Sequence, residues 1–102
     1  MINVYLDDYR PCPQGFVAAK TSEECILLLE AEKVDVISLD FDLGWGQPTG
    51  LKVVEHIVAS GRYPRTIYIH TSSPSGRLQM HHLLIQHAPP EVVIHNRAMG
   101  DG

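Results

Sequence analysis

The chain has 102 residues, 44% of them hydrophobic and 20% charged, which suits one globular domain and excludes a disordered chain. Lys and Arg number 8 against 12 Asp and Glu, and the formal charge of −4 excludes a broad basic surface for nucleic acid while allowing a few arginines to grip one phosphate. No apolar run approaches the ~20 residues of a membrane span and no basic-then-apolar leader opens the chain, so a cytoplasmic protein without membrane contact is expected, with Cys12 and Cys25 as free thiols.

Short apolar runs alternate with amphipathic segments, without repeats or linkers. The first run, Ile2 to Leu6, stops at Asp7-Asp8, and a weaker one covers 16–19. Between them lie seven residues, Tyr9-Arg10-Pro11-Cys12-Pro13-Gln14-Gly15, too few for a helix. Stretched at ~3.3 Å each they reach roughly 23 Å, about one strand length, so either a parallel return through an extended crossover or an antiparallel second strand fits. Thr21-Ser22-Glu23-Glu24 then forms a capping box, with Cys25, Ile26, Leu28, Leu29 and Ala31 as the apolar face behind it.

Val34 to Leu39 is the third run. Thr49 can cap a second helix carrying Leu51, Val54 and Val58 and ended by Gly61. Thr66 to Ile69 follows. A third helix starts near Ser75-Gly76, carries Leu78, Met80, Leu83 and Leu84, and stops before Pro89-Pro90. The last run is 92–94. Runs apolar on both faces, alternating with helices, predict a doubly wound α/β sheet over residues 1–97, with 98–102 as a tail.

Ligands bind beyond the carboxyl ends of the strands in such sheets. Those ends carry Asp7-Asp8, then Asp40 and Asp42, then His70-Thr71-Ser72-Ser73, and finally His95-Asn96-Arg97, with Arg10 and Arg77 close behind. Carboxylates gathered at one rim repel one another unless a cation sits among them, and oxygen donors suit Mg²⁺ with room left for a phosphate. The N-termini at Gly50 and Gly76 offer backbone N–H groups to an anion. Taken singly, each element also has a plain structural reading. Asp7-Asp8 can enter a turn, Asp42 can belong to its loop, Ser72 and Ser73 can cap a helix, and Arg10 and Arg77 can be surface arginines. Asp40 at a second strand end favours the metal reading of Asp7-Asp8. His56 needs no special role, and His81, His82 and His87 are expected to face solvent. His70 closes a strand at the acidic rim, where it can move a proton. Trp45, in Gly44-Trp45-Gly46, either covers a ligand or folds back on the domain.

In these residues the chain resembles a shortened receiver domain of two-component signalling. Leu6-Asp7-Asp8 matches the receiver's Mg²⁺-holding acidic pair, Asp35 to Asp40 the strand ending in the phosphorylated aspartate, Thr49 to Val54 the following helix, and Thr66 to Thr71 the strand with the hydroxyl switch residue. The resemblance implies a receiver-like (flavodoxin-like) three-layer fold with a mostly parallel five-stranded sheet, its first helix missing. Where a receiver's last strand ends in Lys-Pro, this chain reads Ile94-His95-Asn96-Arg97.

Three blocks resemble an offshoot, the cyclic-phosphate-processing receiver-like domains: Leu6-Asp7-Asp8-Tyr9-Arg10 with Pro13 and Gly15; Ser38 to Gly44; and Ile69-His70-Thr71-Ser72 with Pro74, Gly76, Arg77 and Met80. In that family a histidine is expected where Phe41 stands and an asparagine where Ser73 stands. The resemblance implies Mg²⁺-dependent hydrolysis of a cyclic phosphate on a nucleotide or RNA end. Asp7, Asp8 and Asp40 would hold the metal, and Arg10, Thr71, Ser72 and Arg77 the phosphate. Asp40, His70 and Asp42 would be catalytic. A phosphoacceptor signalling receiver and a non-catalytic phosphate-binding module are the alternatives, and a homodimer is compatible with the sequence.

Overall fold

The computed structural model of the chain describes residues 1–100. Its elements run β1 (Ile2–Leu6), β2 (Val17–Ala19), α1 (Ser22–Ala31), β3 (Val34–Leu39), α2 (Gly50–Ser60), β4 (Thr66–Ile69), α3 (Pro74–His87) and β5 (Val93–His95). The strands form one sheet in the order β2-β1-β3-β4-β5, and every neighbouring pair is parallel. The extended crossover is therefore the connection from β1 to β2, and the antiparallel alternative is excluded.

From β2 onward each strand-to-strand step crosses the sheet in the same direction. Right-handed crossovers then put all three helices on one face, where α1 packs on α2 and α2 on α3. The third layer expected of a receiver is not present among the described residues, because the Arg10 segment replaces the helix that would begin it. Strand side chains alternate accordingly. Val4, Leu6, Ile37, Leu39, Ile67 and Ile69 form the buried row beneath the helices, closed by Cys25, Leu29, Val53, Val54, Ile57, Met80 and Leu84. Tyr5, Ser38 and Tyr68 stand in register with one another on the opposite face.

Local signals set the helix ends. Thr21 accepts the Glu24 N–H, while the Glu24 carboxylate reaches back to the N–H of Lys20 instead of Thr21. Ala31 is exposed, so the apolar face of α1 is narrower than expected. Thr49 occupies the N-cap of α2 but makes no side-chain capping bond. That start is held by Gly50, whose N–H donates to Phe41 O and whose Cα lies so close to Asp40 that a side chain would collide with the Asp40 carbonyl. Gly61 ends α2 in the left-handed conformation. The third helix begins one residue before the expected Ser75-Gly76 start, with Ser73 accepting the Gly76 N–H and Pro74 in the first turn. Leu78, assigned to its apolar face, is exposed, and His81 is half-buried while His82 and His87 are exposed. Of the tail expected over 98–102, residues 101 and 102 lie outside the described residues.

Candidate functional site

The register of three neighbouring strands builds the site. Leu6, Leu39 and Ile69 pair across β1, β3 and β4, and the ladder continues one residue beyond each strand. The N–H of Asp7 donates to Ala19 O, that of Asp40 to Leu6 O, and that of His70 to Leu39 O. Asp7, Asp40 and His70 thus form the next row. Each offers a ligand atom, and these atoms lie within 4.8 Å of one another.

Arg10 sits among them. Its Nη1 donates to Asp7 Oδ2 at 2.9 Å and lies 3.5 Å from Asp40 Oδ2. The N–H groups of Tyr9 and Arg10 donate to Asp7 Oδ1, at 2.8 and 2.9 Å. The crossover segment therefore folds around Asp7 as an Asx-type turn. His70 Nε2 contacts Asp7 Oδ2 at 2.9 Å, its Nδ1 contacts Ser38 Oγ at 2.7 Å, and its ring stacks on Tyr5 at a centroid distance of 4.6 Å.

Donor and acceptor inventory fixes the proton positions. Burial works to raise the Asp7 pKa, yet the backbone N–H groups of Arg10 and Tyr9, with the Arg10 and His70 side chains, bring it below the ordinary value. Asp7 is therefore an anion that only accepts. Burial lowers the His70 pKa despite the opposing bond to Asp7, which favours the neutral ring. A neutral imidazole has one N–H, which Asp7 requires at Nε2, leaving Nδ1 to accept from the Ser38 hydroxyl. Ser38 to His70 to Asp7 is a single directed chain.

A family model described as cyclic-phosphate processing receiver domain matches residues 2–86, which contain every residue of this row. The chain belongs to that family. No curated protein matches it.

The acidic pair of this receiver domain divides into unlike halves. Asp7 is buried and its oxygens accept all four bonds described above, whereas Asp8 is exposed and no described group donates to its carboxylate. Asp40 lies between these extremes, with Oδ1 accepting the Phe41 N–H at 2.8 Å and Oδ2 facing Arg10. Asp42 is exposed and accepts the Gly44 N–H within its own loop.

Beyond β4, Thr71 is buried and its hydroxyl oxygen accepts the Ser73 N–H, while Ser72 is exposed. Arg77 donates to the carbonyls of Thr71 and Asn96, tying the ends of β4 and β5 together. The N-terminal amides proposed as anion donors are both engaged, Gly50 with Phe41 O and Gly76 with Ser73 Oγ. His95, in the stretch that stands where a receiver's last strand ends in Lys-Pro, stacks on Tyr68 at 4.5 Å. Cys12 and Cys25 are free thiols, the second pushed up to about 12 by burial and thereby inert at neutral pH.

Sequence reasoning missed Ser38 and Tyr5 as partners of His70. A signal existed: Ser38 is a polar residue inside an apolar strand, two positions before Asp40 on the same face. A hollow of about 800 Å³ lies at the opposite ends of the strands among Leu29, Val34, Tyr63 and Val92. Its arginines are engaged, Arg62 with Glu30 O and Arg65 with Asp35. No helix of the described residues is long and apolar enough to cross a membrane.

Proposed function

We propose that this domain hydrolyses a cyclic phosphate carried on a nucleotide or RNA end, in the cytoplasm and with Mg²⁺ as its cofactor. The observation that carries the reading is the row of Asp7, Asp40 and His70 with the Arg10 guanidinium between the two carboxylates. The donor set fits a hard cation, because the exposed Asp8 and Asp40 Oδ2 are oxygen donors with coordination capacity left. Asp7 would join them once Arg10 turns away. Mg²⁺ held there would polarise a phosphoryl oxygen and lower the pKa of water.

Arg10 then has a double use. In the structure it neutralises Asp7 and Asp40; on a substrate the same half-exposed guanidinium turns to the phosphate oxygens, which it can grip bidentately. Thr71 keeps its hydroxyl proton for a non-bridging oxygen, and exposed Ser72 stands next to it. Arg77 holds the β4 and β5 ends in place beside them. His70 holds Asp7 in orientation; it has no lone pair to spare for a metal or a proton while the Ser38 and Asp7 bonds persist. In the reaction a water oxygen bonds to phosphorus and gives up a proton, one ring P–O bond breaks, and the departing sugar oxygen takes up a proton in exchange. The product is a phosphate monoester. Asp42 belongs to its loop rather than to this chemistry.

The test is ³¹P NMR of the protein with Mg²⁺ and a 2′,3′-cyclic nucleotide, beside Asp40→Asn. Conversion of the cyclic signal to a monoester, lost in the variant, is the expected result. A persistent cyclic signal overturns hydrolysis, and a new acyl-phosphate signal from a small phosphodonor would then make Asp40 a phosphoacceptor.

A further inference from the structure

The chain's single tryptophan does not fold back on the domain. Trp45 is 100% exposed, and Tyr9 is 88% exposed. Aromatic rings left in water forgo the burial that organises the rest of the chain, so two at one place call for a function. The loop that presents Trp45 is built, not slack. Leu43 anchors it in the core, Gly44 O accepts the Gln47 N–H at 3.2 Å, and Gly50 is pinned against Asp40. Gly44 and Gly46, at φ 110° and 77°, hold the backbone on either side of Trp45 in conformations that other residues rarely adopt.

Both aromatics leave the chain beside the same carboxylate. Tyr9 follows Asp8 directly. Trp45 follows Gly44, where a Cβ would lie 3.3 Å from Asp8 Oδ2. The backbone N–H of Tyr9 is itself bonded to Asp7. Two exposed aromatic residues on two different loops are therefore attached to the chain next to Asp8.

We infer that Trp45 and Tyr9 form a nucleobase site at the edge of the acidic row, so that the cyclic phosphate is taken on a nucleoside and not on a plain sugar. The inference rests on the cyclic-phosphate reading and adds the residues that take the base of its nucleotide. Aromatic faces accept any base, so the site selects for a base without selecting which one. The net charge of −4 argues that one nucleotide unit is held, since no basic surface tracks a longer strand.

Trp45 reports on its own site, since no second tryptophan contributes fluorescence. The full chain in Mg²⁺ is titrated with adenosine 2′,3′-cyclic phosphate and with base-free ribose 2′,3′-cyclic phosphate, following tryptophan emission and ³¹P line broadening. The nucleotide is expected to quench Trp45 saturably and to bind more tightly. Trp45→Ala should weaken the nucleotide roughly tenfold while leaving the base-free compound unchanged, and Trp45→Phe should keep most of the affinity. Equal binding of the two compounds, unaffected by Trp45→Ala, overturns the base site and leaves the phosphate reading standing. Binding of neither overturns both. Emission that changes with protein concentration before any ligand is added assigns Trp45 to a contact between copies of the chain, and also overturns the base site.

Discussion

The ring of Phe41 lies so closely on Gly76, in the first turn of α3, that a Cβ there would meet the ring's Cγ at 2.2 Å. Phe41 thus points into the helix layer, away from Asp7 and His70. Alanine at 76 would gain roughly 0.5–1 kcal/mol of helix preference over glycine, while forcing a side chain into a filled space costs about 1–3 kcal/mol. Gly76→Ala should therefore destabilise the domain. Combined with Phe41→Ala it should cost less than the two single changes added together, a non-additivity that denaturant unfolding of the four proteins measures. Additive costs would show that the two side chains do not meet.

Ser38→Ala removes the donor to His70 Nδ1 and leaves a buried acceptor unmatched, a loss of about 1–3 kcal/mol. The sharper readout is ¹⁵N NMR of the imidazole. In the parent protein at pH 7, His70 should carry its proton on Nε2, with Nδ1 as the acceptor. A proton on Nδ1 would reverse the chain of bonds and return His70 Nε2 to the list of available metal ligands.

Arg10→Ala separates the two uses of that guanidinium. Its side chain is 40% exposed, so solvent screens the ion pair and the stability loss should be about 1 kcal/mol or less. Calorimetric titration should find Mg²⁺ binding unchanged or tighter, because a competing cation has gone, and inorganic phosphate binding in the presence of Mg²⁺ clearly weaker. Weaker Mg²⁺ binding would show that Arg10 supports the metal site.

Two groups set an acid dependence in metal-free buffer. The His70 pKa is lowered by burial, so below about 6.5 the unfolded chain takes up a proton that the folded one refuses. Stability should fall as the pH drops from there and level off below the folded value. Asp7 has a lowered pKa, so its contribution is complete above about 3.8 and is lost as the pH falls through its folded value. The groups facing His70 are Asp7, Asp40, Arg10, Tyr5 and Ser38. Melting curves of His70→Gln should lose the upper slope and keep the lower one; an unchanged upper slope would remove His70 as its source.

Much of this was legible because strand ends are written as abrupt changes from apolar to acidic residues. Ile2–Leu6, Val34–Leu39 and Thr66–Ile69 have the expected limits, and β-sheet geometry then sets Asp7, Asp40 and His70 in one row. The direction of β2 was not legible, because a seven-residue connection at full stretch satisfies either sense until Val17 pairs with Val4 and Ala19 with Leu6. Nor was the difference between Asp7 and Asp8. Adjacent residues of a strand end point oppositely, and only the turn of Tyr9 and Arg10 back onto Asp7 decides which is enclosed. The engagement of Arg77 with two carbonyls was hidden as well, since it depends on β5 ending beside Thr71.

The crossover from β1 to β2 gives this domain one segment with two attachments. A helix in that position could grow or shrink by a turn with the sheet unchanged, whereas this tether bends around Asp7 at its start and turns again where the Phe16 N–H donates to Pro13 O. It carries Arg10 at its start and the edge strand at its finish, where Ala19 O receives the Asp7 N–H. A change within that segment acts on the counter-charge of Asp7 and on the approach to β2 together. Here edge pairing and site chemistry share one short stretch of chain, and neither can drift without the other.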